Sequence, residues 1–281
     1  MSSSPSAARA AGAVRSAGDS PWLERLARIG YVVDGVVHLL IGAIVVRLAL
    51  GSGGGEEASQ SGALSDLSST PFGGVALWVA VVGFAALGLW QATNAISGVG
   101  TGGYHREDAS RTGDRVKAAA KAVLYLALAF TAFRYTQGQA TSQAGQSQDV
   151  TAQLVQSGPG RVLVGVAGLV VLGVGAYLVY KGATKKFLED LNGTGGSREI
   201  STAVRYLGMV GYIAKGAAVA VLGGLFVYAA VRGDASEATG LDGAFRTIAE
   251  QPFGTVLLLL TGLGFAAFGV YLFARARFQR M

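Results

Sequence analysis

Two ionisable side chains, Asp34 and His38, lie one helical turn apart in the stretch GYVVDGVVH, inside a segment apolar enough to cross a membrane. A charge within a membrane span costs roughly 2.5–3.5 kcal/mol on insertion scales, and such a residue nearly always faces a protein interior or a water-filled cavity. Because residues four positions apart share one face of a helix, His38 lies one turn deeper than Asp34 on the same face. The pair therefore predicts either a structural ion pair or a site that gates or binds a ligand.

Two lysines, Lys121 and Lys215, occupy the positions equivalent to Asp34 when the chain is aligned with itself, and Tyr125 is equivalent to His38. If the repeats surround a pseudo-three-fold axis, these side chains converge, and we expect Asp34 to pair with Lys121, Lys215 or both. Three interpretations stay open: a salt bridge that locks the repeats together, a gate or ligand site, and lysines that extend to the lipid headgroups.

A second equivalent set, Arg47, Arg134 and Tyr228, lies near the other ends of the same helices and forms a candidate outer cluster. Simple anchoring at the membrane interface explains these residues equally well.

Aromatic residues recur at a third set of equivalent positions, each followed one turn later by a polar or basic residue. The aromatic residues are Trp90, Tyr177 and Tyr271, and the residues that follow are Asn94, Lys181 and Arg275. This pattern predicts a belt at the lipid headgroups. A role of its basic members in holding anionic lipid is the alternative.

The elements that position these residues are membrane helices. Of the 281 residues, 51% are hydrophobic and only 14% are charged, whereas a soluble domain carries about 25% charged residues. Six apolar stretches reach the roughly 20 residues that a helical span requires. They lie near 29–50, 73–95, 116–135, 160–182, 206–231 and 253–275.

Charge alternates between the links that join these spans. The first link, 51–72, is acidic without a basic residue, whereas the second and fourth links and both ends of the chain are basic. The positive-inside rule therefore predicts cytoplasmic termini. Because sixteen of the 23 basic residues lie on one face, we expect no nucleic-acid partner. The expected surroundings are the lipid bilayer, and a bound lipid or other hydrophobic ligand, a membrane-protein partner and a homo-oligomer all stay open.

The chain contains internal repeats. PFGGVALWVAVVGFAALGLW (71–90) recurs as PFGTVLLLLTGLGFAAFGVY (252–271), and GYVVDGVVHLLIG (30–42) recurs as GYIAKGAAVAVLG (211–223), with a fainter copy between them. We predict an all-α membrane protein whose six transmembrane helices form three tandem hairpins in a pseudo-three-fold bundle. The predicted units are a disordered tail (1–20) and hairpin repeats at 21–98, 108–185 and 202–279, within one integral membrane domain (21–281).

Other motifs do not predict chemistry. GVGTGG (98–103) has dinucleotide-binding spacing but follows a membrane helix and not a strand. His38 and His105 are the only histidines and there is no cysteine, so we expect no metal site. No nucleophile has a base at a suitable spacing. We therefore expect neither a cofactor nor an enzymatic activity.

The motifs RIGYVVDGVVHLLIG, GYIAKGAAVAVLG and the paired PFG…GFAA segments resemble the Domain of Unknown Function 1206 family of actinobacterial six-span membrane proteins. The resemblance covers roughly residues 22–276. It implies a multi-pass protein of the plasma membrane and brings no established activity. The family pattern has a basic residue at Lys215 and an aromatic residue shortly after it; Lys121 and Tyr125 fit this pattern, whereas Asp34 and His38 depart from it.

Two functions from different classes fit these residues. The first is a transporter- or channel-like protein with Asp34, Lys121 and Lys215 at a cytoplasmic gate. It predicts polar residues along an interior path toward Arg47 and Arg134. The second is a scaffold, or a binder of a lipid, quinone or other lipophile, which predicts an apolar cavity that opens sideways into the bilayer.

Overall fold

The computed structural model describes residues 21–52, 55–97, 108–139, 142–191, 202–236 and 238–278. The helices are α1 (Pro21–Ala49), α2 (Gln60–Ser68), α3 (Gly73–Ser97), α4 (Asp108–Thr136), α5 (Gln143–Val155), α6 (Gly158–Ala183), α7 (Thr202–Arg232), α8 (Gly240–Ala249) and α9 (Gly254–Phe278). A 3-10 helix, Lys186–Asp190, follows α6.

Six of these helices are long and apolar enough to cross a membrane: α1, α3, α4, α6, α7 and α9. They match the six predicted spans, and they confirm an all-α multi-pass membrane protein built from tandem hairpins. The predicted disordered tail, the glycine-rich stretch 98–103 and His105 lie outside the described residues.

The three short helices α2, α5 and α8 each precede a returning span, at what we call the cap face; the opposite face, where α1 begins and α9 ends, is the terminal face. Gly73, Gly160 and Gly254, at or near the starts of the returning spans, lie against the preceding turn. A Cβ atom at Gly73 would come within 2.5 Å of the Ser68 carbonyl oxygen, and equivalent carbonyls crowd the other two glycines. Glycine therefore allows each short helix to fold back onto its span.

The most extensive helix packing joins different repeats: α1 packs on α9, α3 on α4, and α6 on α7. In the α1–α9 pair, a Cβ atom at Gly35 would lie 2.9 Å from the Gly269 carbonyl oxygen, and one at Gly42 would lie 2.7 Å from that of Gly262. The equivalent residues of the α6–α7 pair are Gly168, Gly175, Gly216 and Gly223. Such small residues let backbones approach where no hydrophobic effect drives helices together.

Packing within a repeat is less extensive and differs between the repeats. In the first, α1 meets α3 where Gly30 contacts Gly83; in the third, α7 meets α9 where Gly211 contacts Phe268. Within the described residues, the two spans of the middle repeat, α4 and α6, make at most a marginal packing contact. We call this unpacked boundary the seam.

Candidate functional site

The structure brings together four of the predicted residues, Asp34, His38, Tyr125 and Lys215, which we call the inner cluster. They come from α1, α4 and α7, the first span of each repeat. Asp34 and His38 are only 6% and 2% exposed. The cluster thus joins all three repeats through polar side chains held away from lipid.

His38 is the centre of the inner cluster. Its Nδ1 lies 2.8 Å from the backbone oxygen and 3.1 Å from Oδ1 of Asp34, and its Nε2 lies 2.8 Å from Nζ of Lys215. With its proton on Nδ1, a neutral imidazole donates to Asp34 and accepts from the Lys215 ammonium group, which satisfies both ring nitrogens. The Tyr125 hydroxyl donates to Oδ2 of Asp34 at 3.3 Å. Asp34 therefore meets Lys215 through the imidazole.

Aromatic rings enclose this cluster. Phe265 stacks on His38 at a centroid distance of 5.9 Å, and Phe84 stacks on Tyr125 at 6.3 Å. These two contacts are equivalent under the repeat. The Lys215 ammonium lies 4.5 Å from the centre of the Phe268 ring. The buried charges are thus shielded by apolar and aromatic groups, which strengthens their mutual attraction.

Lys121 is placed differently from the other candidate residues. Its side chain is exposed, and its electrostatic neighbours are Arg275, Asp190 and Lys181. Of the two lysines equivalent to Asp34, only Lys215 reaches the inner cluster. The symmetric convergence of three side chains is therefore incomplete, because the middle repeat holds its lysine at the edge of the interior.

A second group of polar residues, the terminal cluster, lies nearer the terminal face and contains Asp190, Lys181, Arg275, Tyr31 and Tyr212. The Lys181 ammonium donates to Oδ2 of Asp190 at 2.7 Å, and Nη2 of Arg275 lies 3.8 Å from the same oxygen. Arg275 also donates to the Tyr212 hydroxyl at 3.4 Å, and its guanidinium lies 4.9 Å from the centre of the Tyr31 ring.

The terminal cluster corrects the prediction of a headgroup belt. Trp90 and Tyr271 are 4% and 0% exposed, and the side chains of Arg275 and Lys181 are 11% and 14% exposed. Only Tyr177, at 47%, is exposed as a belt residue would be. These basic residues turn inward because a carboxylate, Asp190, lies between them.

Asp190 was missed by sequence reasoning because it follows α6 in a link dominated by basic residues. The 3-10 helix that carries it is anchored by Phe187 and Leu191, both 0% exposed. Burial opposes ionisation of Asp190, but the adjacent Arg275 and Lys181 outweigh this effect and hold the pKa of its carboxyl below the ordinary value. The chemical signal was an acidic pair, Glu189 and Asp190, in an otherwise basic link shortly after Lys181.

The candidate outer cluster forms local contacts in the structure. Arg47 binds Glu56 and Asp66 at 2.7 and 2.8 Å. Arg134 donates to the Gln139 side chain at 3.3 Å, and the Tyr228 ring lies 5.3 Å beneath the guanidinium of the nearby Arg232. These contacts tie each residue to its own repeat.

The seam has a cause in the sequence. Where the first repeat has Gly30 and Gly83 in contact, the middle repeat has Lys117 and Val170. A Cβ atom at Gly30 would already collide with the carbonyl oxygen of Gly83, so the larger side chains prevent this approach. Leu87 is 0% exposed in the packed first repeat, whereas its equivalent in the middle repeat, Val174, is 47% exposed.

No group of three or more His, Cys, Asp or Glu residues is placed to hold a metal ion in the part of the chain that the structure describes. The two clusters instead offer ammonium, guanidinium and hydroxyl groups, which bind anions.

Comparison with known proteins is consistent with the repeat. The family model described as Domain of Unknown Function (DUF1206) matches residues 29–98, 116–185 and 210–279. An uncharacterized protein, YxxB, of Bacillus subtilis (strain 168) is 28% identical over 264 residues, which are 93% of each chain. No solved structure matches significantly.

Proposed function

We propose, starting from the fact that this chain belongs to the Domain of Unknown Function 1206 family, that it is a non-catalytic membrane protein that binds a lipid or lipid-like amphiphile entering from the bilayer through the seam. The observation that carries the proposal is the unpacked boundary between α4 and α6. The seam occurs in the middle repeat because Lys117 and Val170 stand there in place of the two glycines that contact each other in the first repeat.

The chemistry of the seam fits an amphiphile. Its apolar wall includes Val170 and Val174, which are 60% and 47% exposed. Toward the terminal face its wall becomes cationic, with the exposed Lys117 and Lys121, of which Lys117 lies 3.6 Å from Asp114. An apolar surface that ends in positive charge is complementary to acyl chains attached to an anionic headgroup.

The interior is less suited to transport of a polar solute. On α1, the buried residues between the inner cluster and Arg47 are Ile41, Gly42, Ile44 and Val45. At the cap face, the Ala144 amide donates to Glu57 at 3.0 Å and the Ala58 amide donates to Asp242 at 2.8 Å. These hydrogen bonds tie the three cap segments together. We therefore assign the inner cluster a locking role and prefer amphiphile binding to transport.

The proposed orientation follows from the loop charges. We place the terminal face in the cytoplasm and the protein in the plasma membrane, because basic residues concentrate in the links on that side. A lipid that enters through the seam then presents its headgroup to the cytoplasmic leaflet.

The proposal is tested with a variant designed to close the seam. The double variant Lys117→Gly/Val170→Gly restores the two glycines that allow close packing in the first repeat, and we expect it to lose co-purifying amphiphile. The matched control, Lys117→Gly/Leu169→Gly, moves the second glycine to a position whose equivalents, Val82 and Leu263, are 46% and 60% exposed. The control should keep its amphiphile.

The measurement is native mass spectrometry of protein released from membranes, combined with lipid extraction. Equal amphiphile content in both double variants would contradict the proposal. The proposal would also be contradicted if the wild-type protein carries no amphiphile and its seam is buried against a second copy or another membrane protein.

A further inference from the structure

We infer that the terminal end of the seam holds an anion-binding subsite for a phosphate group, formed by Lys121, Lys181 and Arg275 and partly neutralised by Asp190. The inference rests on the proposed function in that this subsite would hold the headgroup of the amphiphile. Apart from Lys121, it concerns residues that the seam argument does not use.

The first observation is an excess of positive charge. The Lys181 ammonium and the Arg275 guanidinium lie 2.7 and 3.8 Å from Oδ2 of Asp190. Asp190 is also the one carboxylate among the principal charged neighbours of Lys121. In the adjacent inner cluster, Asp34 already balances Lys215 through His38. Among the residues that the structure describes, these three cations thus lie near one carboxylate. The side chains of Lys181 and Arg275 are only 14% and 11% exposed, and burying unbalanced charge in a membrane protein is costly, so a bound anion would lower the free energy of the folded state.

The second observation is a buried hydroxyl without a partner. Tyr31 is 1% exposed, and its Oη has no hydrogen-bond partner among the described residues. The hydroxyl interacts electrostatically with Arg275 and Asp190, and the ring lies against the Arg275 guanidinium. A buried polar group without a partner costs about 1–3 kcal/mol. An oxyanion between the cations would accept a hydrogen bond from this hydroxyl.

A third observation is the repeat itself. The Nδ2 atom of Asn94, at the position equivalent to Lys181 and Arg275, is also buried without a hydrogen-bond partner in the described chain. The three returning spans thus present nitrogen donors at one depth. A phosphate group offers several oxygen acceptors around one centre, and Arg and Lys bind it through charge-assisted hydrogen bonds.

Access and affinity depend on two residues. Lys121 is exposed on α4 at the edge of the seam, so it can contact a headgroup that arrives from the bilayer. Asp190 is fixed 2.7 Å from Lys181 and occupies part of the same positive field. Its carboxylate therefore competes with an incoming anion and sets the affinity of the subsite.

The experiment uses the full chain in phosphatidylcholine nanodiscs, with phosphatidic acid as the lipid probe and inorganic phosphate as the free-anion probe. Binding is followed by native mass spectrometry and by the shift in thermal unfolding. We expect Lys121→Gln to weaken phosphatidic acid binding about tenfold, because it removes one charge-assisted hydrogen bond. The control Lys186→Gln removes an equal charge from an exposed residue on the same face that stacks on Tyr180, and should change binding less than twofold.

Asp190→Asn provides a test by the sign of its effect. If Asp190 competes with the anion, the variant binds phosphatidic acid several-fold more tightly although its own unfolding temperature is lower. If Asp190 has only a structural role, binding weakens together with stability, which overturns the inference.

The outcomes separate this inference from the proposed function. If closure of the seam abolishes phosphatidic acid binding but Lys121→Gln leaves it unchanged, the subsite is overturned and the proposed function is not. If the protein binds inorganic phosphate but no lipid, and Lys121→Gln weakens the phosphate binding, the subsite is a site for a free anion. That result supports the subsite and overturns the proposed function. Equal effects of Lys121→Gln and Lys186→Gln show general surface electrostatics, and they also overturn the subsite.

Discussion

At the scale of single residues, the inner cluster is a buried charge pair, Asp34 and Lys215, bridged by the imidazole ring of His38. With its proton on Nδ1, His38 accepts from Lys215 and donates to Asp34, so each charge has a hydrogen-bond partner. Tyr125 supplies a further hydrogen bond to Asp34 from α4. Removing one member of such a buried pair typically costs 3–5 kcal/mol, because it leaves the other charge without compensation.

We therefore expect Asp34→Asn and Lys215→Met each to lower the free energy of unfolding by about 3 kcal/mol. The double variant should cost clearly less than the sum, since neither charge then remains. The exposed Lys121, at the equivalent position, is the control, and Lys121→Met should cost less than about 1 kcal/mol. Equilibrium unfolding in mixed micelles measures these values, and strictly additive costs for Asp34 and Lys215 would contradict the interaction.

The repeat alignment was enough to predict which residues approach one another but not how they bond. Equal depth in the three repeats placed Asp34, Lys121 and Lys215 on one level, with His38 and Tyr125 one turn deeper. The alignment did not predict that Lys121 lies at the seam, because that depends on the size of residues elsewhere on α4 and α6. It also did not predict Asp190, whose contacts form across the fold from a link between repeats.

At the scale of helices, glycine determines which pairs of spans approach closely. The strongest pairs, α1–α9 and α6–α7, each contain two levels of facing glycines. In the sequence, the glycines of these pairs recur with the repeat, as Gly35 and Gly42 recur at Gly216 and Gly223. The sequence did not predict that these glycine faces pack spans of neighbouring repeats more extensively than they pack the two spans of one hairpin. Sequence spacing shows which face of a helix is small, but it does not show which helix packs on that face.

Gly216 and Gly224 of α7 provide a matched test of this packing. A Cβ atom at Gly216 would lie 2.6 Å from the Val179 backbone nitrogen and 2.7 Å from the Gly175 carbonyl oxygen, whereas one at Gly224 would meet nothing within 4 Å. We expect Gly216→Ala to lower the free energy of unfolding by about 1–3 kcal/mol, because backbone atoms must separate. Gly224→Ala should be neutral or stabilising by up to about 1 kcal/mol. Unfolding measurements on both variants check this, and equal effects would show that close backbone contact does not control the pair.

At the scale of the whole molecule, the two faces differ in construction. The cap face is covered by α2, α5 and α8, whose segments exchange hydrogen bonds across repeats. The terminal face holds the excess positive charge and the end of the seam. This polarity matters for the proposed function, because a headgroup site must face one particular leaflet. The orientation of the chain therefore decides which leaflet supplies the amphiphile.

The chain has no cysteine, so single cysteines can report this orientation without removal of native thiols. We expect Ser236→Cys, exposed near the cap face, to react with a membrane-impermeant maleimide in intact cells. Lys186→Cys, on the terminal face, should react only after the membrane is permeabilised. The opposite pattern would place the cationic end of the seam outside the cell, and the headgroup would then come from the outer leaflet. Because the loop charges of all three repeats favour the same orientation, this labelling tests the topology of the three hairpins together.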